Sequence, residues 1–445
     1  MRGRRMRGGV RTGEQRSPLG PILSVAEPGL LVLACAQAGR PLKPVVKKRD
    51  AVLGGQRLAE PEGDGVPLHA PLSGEVTDVG PALGPTGDLV LSIFIKSDGR
   101  AQWAPAESGW PDPEAPPPEA IRLRAFEAGI PDLARGGVPL ARSLAPDQPV
   151  ESLILNACVT QPHVQSERVL LHAEPATVLY GLRAAMRATG AHTGMIALSG
   201  ADRRFARVVK DLLHDGEAVQ VHVLSDRFPQ GLERYLIPSL TGSELAPGQT
   251  PGSLGLAVFD VTTLYALARA LRDGRPFTHR LVTVAGDAVA TPGNYLVPLG
   301  TPVSHLLDAA GRAREPRQIV LGGPLTGVAV GSEEITTCAS TRAVLALSQA
   351  AAASVPTTLC IRCGRCIDAC PEALSPIYLA RYAERERWAD AEAEGAMLCS
   401  GCGACAYVCP AGRYLFQSIQ LARYEIGRKR DGVAHETTRE KVVVR

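Results

Sequence analysis

The sequence predicts an α+β chain of several domains. Three observations lead there: 445 residues exceed what one ordinary core organises, Gly (46) and Pro (36) punctuate the chain throughout, and the apolar pattern changes character along it. Hydrophobic residues make up 45% and charged residues 21%, enough for globular cores and too apolar for wholesale disorder. Aromatics at 4% beside so many turn formers favour short strands over long helical bundles. Lys+Arg 48 against Asp+Glu 45 leave a net charge of +3, which excludes a dedicated nucleic-acid binder. No apolar run approaches the ~20 residues needed to span a bilayer, so membrane attachment is expected only through partners.

Residues 1–27 read as a basic N-terminal tail, with six Arg and one Glu in the first sixteen. The apolar run 30–35 beside it is too short for an export signal, follows Pro28-Gly29 and continues into strand-like sequence. Residues 28–100 form a barrel-sandwich-like β domain, with short strands at 42–46, 51–58 and 66–70 between Gly/Pro turns. A Pro-rich linker fills 101–120. Over 121–275, strands at 152–155, 194–198 and 219–224 alternate with helices at 176–189, 202–215 and 262–273, the signature of a parallel, Rossmann-like α/β domain. A hairpin (281–285, 295–298), a helix at 303–310 and a strand at 318–321 make 276–335 a β-grasp-sized module. A helix at 341–353 is expected to lead into a cysteine-dense domain at 336–425, and 426–445 is a charged tail.

Eight of the eleven cysteines fall in two blocks of identical spacing. The first is Cys360-x-x-Cys363-x-x-Cys366-x-x-x-Cys370-Pro371, and the second is Cys399-x-x-Cys402-x-x-Cys405-x-x-x-Cys409-Pro410. Three thiolates two residues apart wrap one iron–sulfur cube, and a fourth, followed by Pro, reaches across to the other cluster, as in two-cluster ferredoxins. The expected ligand sets are therefore Cys360, Cys363, Cys366 and Cys409 for one [4Fe–4S] cluster, and Cys399, Cys402, Cys405 and Cys370 for the second. Zinc sites have no use for the third Cys of each run, and a disulfide framework suits a small secreted chain. Gly364, Gly401, Gly403 and Ala404 keep the loops small, so backbone N–H groups approach the sulfides.

Cys35, Cys158 and Cys338 stand alone and read as small buried hydrophobes. Gly322-Gly323-Pro324 and Gly286-Asp287-Ala288-Val289 lack the Lys-Ser/Thr or Gly spacing of phosphate loops and read as turns. The nine His show no metal spacing, and no Gly-x-Ser-x-Gly elbow exists. Arg362, Arg365, Arg381, Arg385 and Arg387 make a basic surface near the clusters; it either steers an acidic ferredoxin or is ordinary solvated charge.

In this order of modules the chain resembles the RnfC family of Rnf electron-transport complexes over nearly its full length. The resemblance rests on Gly8-Gly9-Val10, Gly39-x-Pro41-x-Lys43-Pro44-Val45-Val46-Lys47 and the run from Pro67 to Val76. It continues through Phe228-Pro229-Gln230-Gly231, Leu240-Thr241-Gly242, Pro292-Gly293-Asn294-Tyr295-Leu296, Gly322-Gly323-Pro324-Leu325-Thr326-Gly327 and the cysteine blocks. Cobalamin-reductase-like relatives share the modules but place the flavin domain first. The resemblance implies a peripheral subunit on the cytoplasmic face of the inner membrane. It would exchange electrons with NADH or ferredoxin through flavin and two [4Fe–4S] clusters, beside partner subunits that move the ions. It also implies that 276–335 is an SLBB-like module.

One stretch departs from the family. Its flavin/NADH loop, roughly Gly-x-Gly-Gly-Ala-Gly-Phe-Pro-Thr, holds phosphate oxygens on bare backbone N–H groups. Here the matching residues run from Pro131 to Leu140: Gly137 and Pro139 survive, while Asp132, Ala134 and Arg135 replace glycines. The family's next motif, Asn-Gly-Ala-Glu-Cys-Glu-Pro-Tyr, becomes Asn156-Ala157-Cys158-Val159-Thr160-Gln161-Pro162-His163, without either carboxylate. Two readings stay open: an NADH-oxidising flavoprotein with an altered FMN pocket in which Gly137 still serves, or a relay and docking protein without flavin or nucleotide. A paralogue in a different complex is a third.

Overall fold

The structure is a computed structural model, and it describes residues 6–11, 19–37, 39–84, 87–158, 161–246, 248–352 and 356–430. Two compact units emerge: one from the described residues between 11 and 352, the other from Arg7–Val10 with the described residues from 356 onward.

In the first unit, β1 (Ile22–Ser24) is followed by strands β2 (Leu30–Ala34), β3 (Ala36–Gln37), β4 (Arg40–Pro44), β5 (Ala51–Val52), β6 (Arg57–Pro61), β7 (Leu68–His69), β8 (Gly74–Leu83) and β9 (Leu89–Ser97). Strands β2–β9 form two antiparallel four-stranded sheets, β2-β9-β8-β5 and β3-β4-β6-β7. Alternation does the sorting: Leu31 and Leu33 of β2 point inward with Ile93 and Ile95 of β9, Leu58 and Val76. The expected strand at 51–58 is broken into β5 and β6. Gly54 and Gly55 leave the ladder there because the Trp103 ring packs against them.

Helix α1 (Pro118–Glu127) opens the α/β domain, and a hairpin of β10 (Pro131–Asp132) and β11 (Val138–Pro139) leads to α2 (Leu140–Ser143). Then come β12 (Ser152–Ala157), α3 (Ser166–Ala173), α4 (Pro175–Thr189), β13 (Thr193–Leu198), α5 (Phe205–Asp211), β14 (Val219–Val223), α6 (Glu233–Thr241), β15 (Leu256–Asp260) and α7 (Val261–Asp273). The sheet is all parallel, ordered β14-β13-β12-β15. Leu153, Ile154 and Leu155 of β12 are all fully buried, as a parallel strand covered on both faces requires. The chain steps from β12 outward to β13 and β14, then returns to place β15 on the other side of β12. The switch point therefore lies between β12 and β15.

The third module comprises β16 (His279–Ala285), β17 (Gly293–Pro298), α8 (Val303–Ala309), β18 (Gln318–Leu321), β19 (Val328–Val330), β20 (Ala343–Leu347) and α9 (Gln349–Ala352). Its mixed sheet runs β1-β17-β16-β20-β18-β19, with α8 closing the core through Val303, Leu306 and Leu307. Two expectations need correction here. The helix expected over 341–353 is realised only at its end: Ala343–Leu347 is strand β20, with Ala343–Ala346 buried between β16 and β18, and only Gln349–Ala352 is helical, because an Ala/Leu run carries no period that separates a central strand from a helix. The module therefore continues past 335, and 336–352 do not belong to the cysteine domain. Residues 22–24, assigned to the tail, pair in parallel with β17.

The second unit is helical. It contains α10 (Arg365–Ala369), α11 (Pro376–Ala383), α12 (Trp388–Ala393), α13 (Ala404–Tyr407) and α14 (Leu415–Arg430), around Leu379, Ala380, Leu415, Ile419 and Ala422. Helix α14 runs five residues into the expected charged tail, and the rest of that tail lies outside the described residues. Part of the N-terminal tail is also structured. Val10 is buried, and the Gly9 N–H donates to the Ala369 carbonyl at 2.9 Å.

Candidate metal centre and ligand crevice

The two cysteine loops of the helical unit repeat one backbone design. Left-handed Gly364 and Gly403 begin α10 and α13, at equivalent places in the two runs. The N–H groups of Arg362 and Gly401 point at Cys360 Sγ and Cys399 Sγ, at 3.4 and 3.5 Å. Both residues have positive φ (57° and 70°), so the second loop uses glycine where the first strains an arginine.

Cys360, Cys363, Cys366 and Cys409 border one cavity of about 360 Å³. Cys370, Cys399, Cys402 and Cys405 border a second, much smaller recess. The sorting follows the crossover in the sequence: each fourth cysteine stands with the other loop's triplet. Among the described residues, no three His, Cys, Asp or Glu side chains converge as a single bound ion needs. A cubane instead takes its thiolates at four separate corners, and this donor set fits it. Burial pushes the Cys405 thiol up to about 12 and raises Cys366, Cys370 and Cys399, so iron must displace their protons to bind. The two environments differ: Cys402 and Cys405 are buried, whereas Cys363 is exposed, as are Leu359 (86% exposed), Ile361 and Arg362 in the same loop.

The other site is a crevice of about 410 Å³ at the C-terminal edge of the parallel sheet, where Asn156 lies near the end of β12 and Asp260 ends β15. This is the position at which doubly wound sheets bind ligands. Its polar wall includes Glu167, Glu233, Asp260 and Arg342. Arg342 is already shared, 3.3 Å from Glu167 and 3.6 Å from Asp260. Asp260 also caps α7 through the Thr263 N–H at 2.7 Å. Asn156 is tied down as well: it accepts from the Cys158 N–H and donates to the Gly231 carbonyl at 2.8 Å. Gly231 is obligatory there, since a Cβ would stand 2.1 Å from the Cys158 carbonyl oxygen.

The glycine-poor loop closes on itself. Asp132 is fully buried, and its Oδ1 accepts the N–H groups of Ala134 (3.1 Å) and Arg135 (3.3 Å). The Gly137 N–H donates to the Asp132 carbonyl at 2.8 Å. The N–H groups that a phosphate would use are thus spent on a carboxylate and a carbonyl supplied by the loop itself. Burial pushes Asp132 up to about 6 and Glu233 up to about 7, and the negative charge of Asp132 adds to the rise at Glu233. Gln161 spans to Thr326 Oγ1 at 2.8 Å, Val159 lies outside the described residues, and His163 does not line the crevice. A flavin phosphate finds few free donors here: the Ala134, Arg135 and Gly137 N–H groups are engaged within the loop, and Arg342 is shared between Glu167 and Asp260. The sequence pointed to the lost glycines; it did not reveal Glu167, Glu233, Asp260 and Arg342, which converge from four separate segments.

Known proteins match each module. Residues 4–100 match the RnfC barrel sandwich hybrid domain, 126–269 the Nuo51 FMN-binding domain, 281–329 the SLBB domain and 359–413 the 4Fe-4S dicluster domain. The C subunit of the Na⁺-translocating ferredoxin:NAD⁺ oxidoreductase complex of Acetobacterium woodii is 33% identical over 392 residues, 87% of this chain and 88% of that protein. The C subunit of the ion-translocating oxidoreductase complex of Rhodobacter capsulatus is 31% identical over 372 residues, covering 80% of this chain and 70% of its own. Its counterpart in Klebsiella pneumoniae is 31% identical over 378 residues (83% of this chain), and there the match spans 50% of the relative's length. An NAD⁺-reducing [NiFe]-hydrogenase in the air-oxidized state shares the fold, with a TM-score of 0.51 and 22% identity over 64% of this chain and 57% of that one.

Proposed function

The chain belongs to the RnfC family of ion-translocating oxidoreductase complexes, and on that premise we propose that it works as a flavin-free electron relay. Cys360, Cys363, Cys366 and Cys409 hold one [4Fe–4S] cluster; Cys370, Cys399, Cys402 and Cys405 hold the other. Each cluster supplies one-electron transfer when bound. The chain's own residues set the two environments, an exposed first loop for exchange and a buried second loop that shields its sulfur from water.

The observation that carries this reading is the sorting of eight thiols into two groups of four across both loops. Exposed Arg362 and Arg365, with Arg381 at the mouth of the first cavity, give the exchange face a positive potential suited to an acidic ferredoxin. Arg387 and Arg413 contribute less, being paired with Asp390 and Glu384. Among the described residues no helix is long and apolar enough to cross a membrane. As a member of that family the chain attaches to the cytoplasmic face of the inner membrane through partner subunits, which also move the ions.

The crevice supports a relay that does not itself oxidise NADH, because its phosphate-binding N–H groups are spent on Asp132. The test is anaerobic purification of the full chain, incubation with excess FMN and desalting. About eight iron atoms per chain, no retained flavin, and bleaching by reduced ferredoxin but not by NADH is the expected result. Stoichiometric FMN with NADH-driven bleaching overturns the flavin-free reading in favour of the flavoprotein suggested by the domain match over 126–269.

A further inference from the structure

We propose that a second cavity of the first unit, sharing no residue with the crevice, binds a planar aromatic monoanion such as an aryl carboxylate. The cavity measures about 470 Å³, within the range of small-molecule sites. In a chain with only 4% aromatics, Trp103, Tyr265 and Phe277 meet His279 around this one space. Leu170, Leu281 and Leu296 supply an apolar wall.

The positive charge is held in place by rings. Arg275 lies with its guanidinium 4.4 Å from the centre of the Trp103 ring. That ring is seated against Gly54 and Gly55, where a Cβ on Gly54 would come within 2.9 Å of it. Trp103 also stacks on His279, with ring centres 6.2 Å apart and planes 27° apart. The arginine fork thus rests on an aromatic platform, and among the described residues no carboxylate pairs with it. Of the two other arginines on the lining, Arg269 donates to Tyr265 Oη at 3.1 Å and is partly balanced by Asp273, and the fully buried Arg280 lies 3.8 Å from Glu167. Glu174 at the rim accepts from Thr177 and lies near Arg272. His279 is held neutral, its pKa lowered to about 4 by burial and by Arg269 and Arg275.

These features select one ligand class. An aryl carboxylate lays its ring against the apolar wall and offers its two oxygens to the Arg275 fork. A neutral arene leaves the arginine unpaired, and an aliphatic acid leaves the aromatic wall unfilled. Arg275 is the binding residue, and Trp103 positions it.

The test is isothermal titration of the anaerobically purified full chain with three probes: 2-naphthoate, 2-naphthalenemethanol and cyclohexanecarboxylate. The expected result is one site for 2-naphthoate with at least tenfold weaker binding of both others. Arg275→Gln is expected to weaken 2-naphthoate at least tenfold, and Trp103→Leu severalfold, with iron content unchanged in both. No heat from 2-naphthoate at 1 mM, equal binding of the neutral probe, or an unaltered affinity in Arg275→Gln overturns the proposal. Should Trp103→Leu fail to fold, the Arg275→Gln and probe comparisons still decide.

Discussion

The cysteine loops and the sheet-edge crevice have kept different things. The loops retain every chemistry-bearing residue, and even their backbone devices repeat, from Gly364 and Gly403 to the N–H groups aimed at Cys360 and Cys399. The crevice has the architecture of a ligand site, a parallel sheet with a cavity at the switch point, but its loop N–H groups are engaged within the loop and Glu167, Glu233 and Asp260 line its wall. A scaffold survives on apolar packing alone, so a fold match establishes the shape of such a site and not its occupant.

The sharpest way to break this comparison is to remove thiolates in pairs. Cys360→Ser with Cys409→Ser touches a single ligand set, and the expected loss is about half the iron. Cys399→Ser with Cys409→Ser touches both sets and is expected to remove nearly all of it. Equal iron loss in the two doubles, measured on anaerobic protein, sinks the crossover assignment.

Next in size is Arg342→Met, which strands Glu167 and Asp260, both almost fully buried. A destabilisation of about 3 kcal/mol is expected from uncompensated buried charge, read by denaturant unfolding of the first unit's signal. An unchanged midpoint would show that Arg280, 3.8 Å from Glu167, suffices alone.

A smaller effect concerns pH. Glu233 titrates near 7 in the folded chain and near its ordinary 4.5 when unfolded, so the folded state holds the extra proton. The Glu233 contribution is therefore fully present below about pH 4.5 and is lost as pH rises through 7; Asp132 acts in the same sense between its ordinary 3.8 and about 6. His69 and His279, lowered to about 4, act oppositely between pH 4 and 6.5, so the comparison is wild type against Glu233→Gln. The variant is expected to gain stability over wild type as pH rises from about 5 to 8, and parallel melting curves refute this.

The smallest effect tests the N-terminal segment. At Gly8, φ is +58° and a Cβ would stand 2.9 Å from the Cys370 backbone. Gly8→Ala is expected to cost about 1 kcal/mol or slightly more, seen as faster proteolytic trimming before Val10. An unaltered trimming rate would mean the contact with the first cysteine loop does not hold the segment.

Cysteine spacing alone pointed to the cluster type and the expected ligand sets, because three closely spaced thiolates can wrap one cubane and a distant one can complete it. The alternating and continuous apolar patterns likewise marked out the sandwich and the parallel sheet, since side-chain direction follows from strand geometry. What tertiary structure decided was long-range. It placed Ile22–Ser24 beside β17, made a strand of Ala343–Leu347 and folded Asp132 onto its own loop. It also gathered Glu167, Glu233, Asp260 and Arg342 at one crevice, and Trp103 with Arg275 at another cavity. Such meetings depend on which surfaces pack together, and pairings between segments far apart in the chain leave no periodic mark on it.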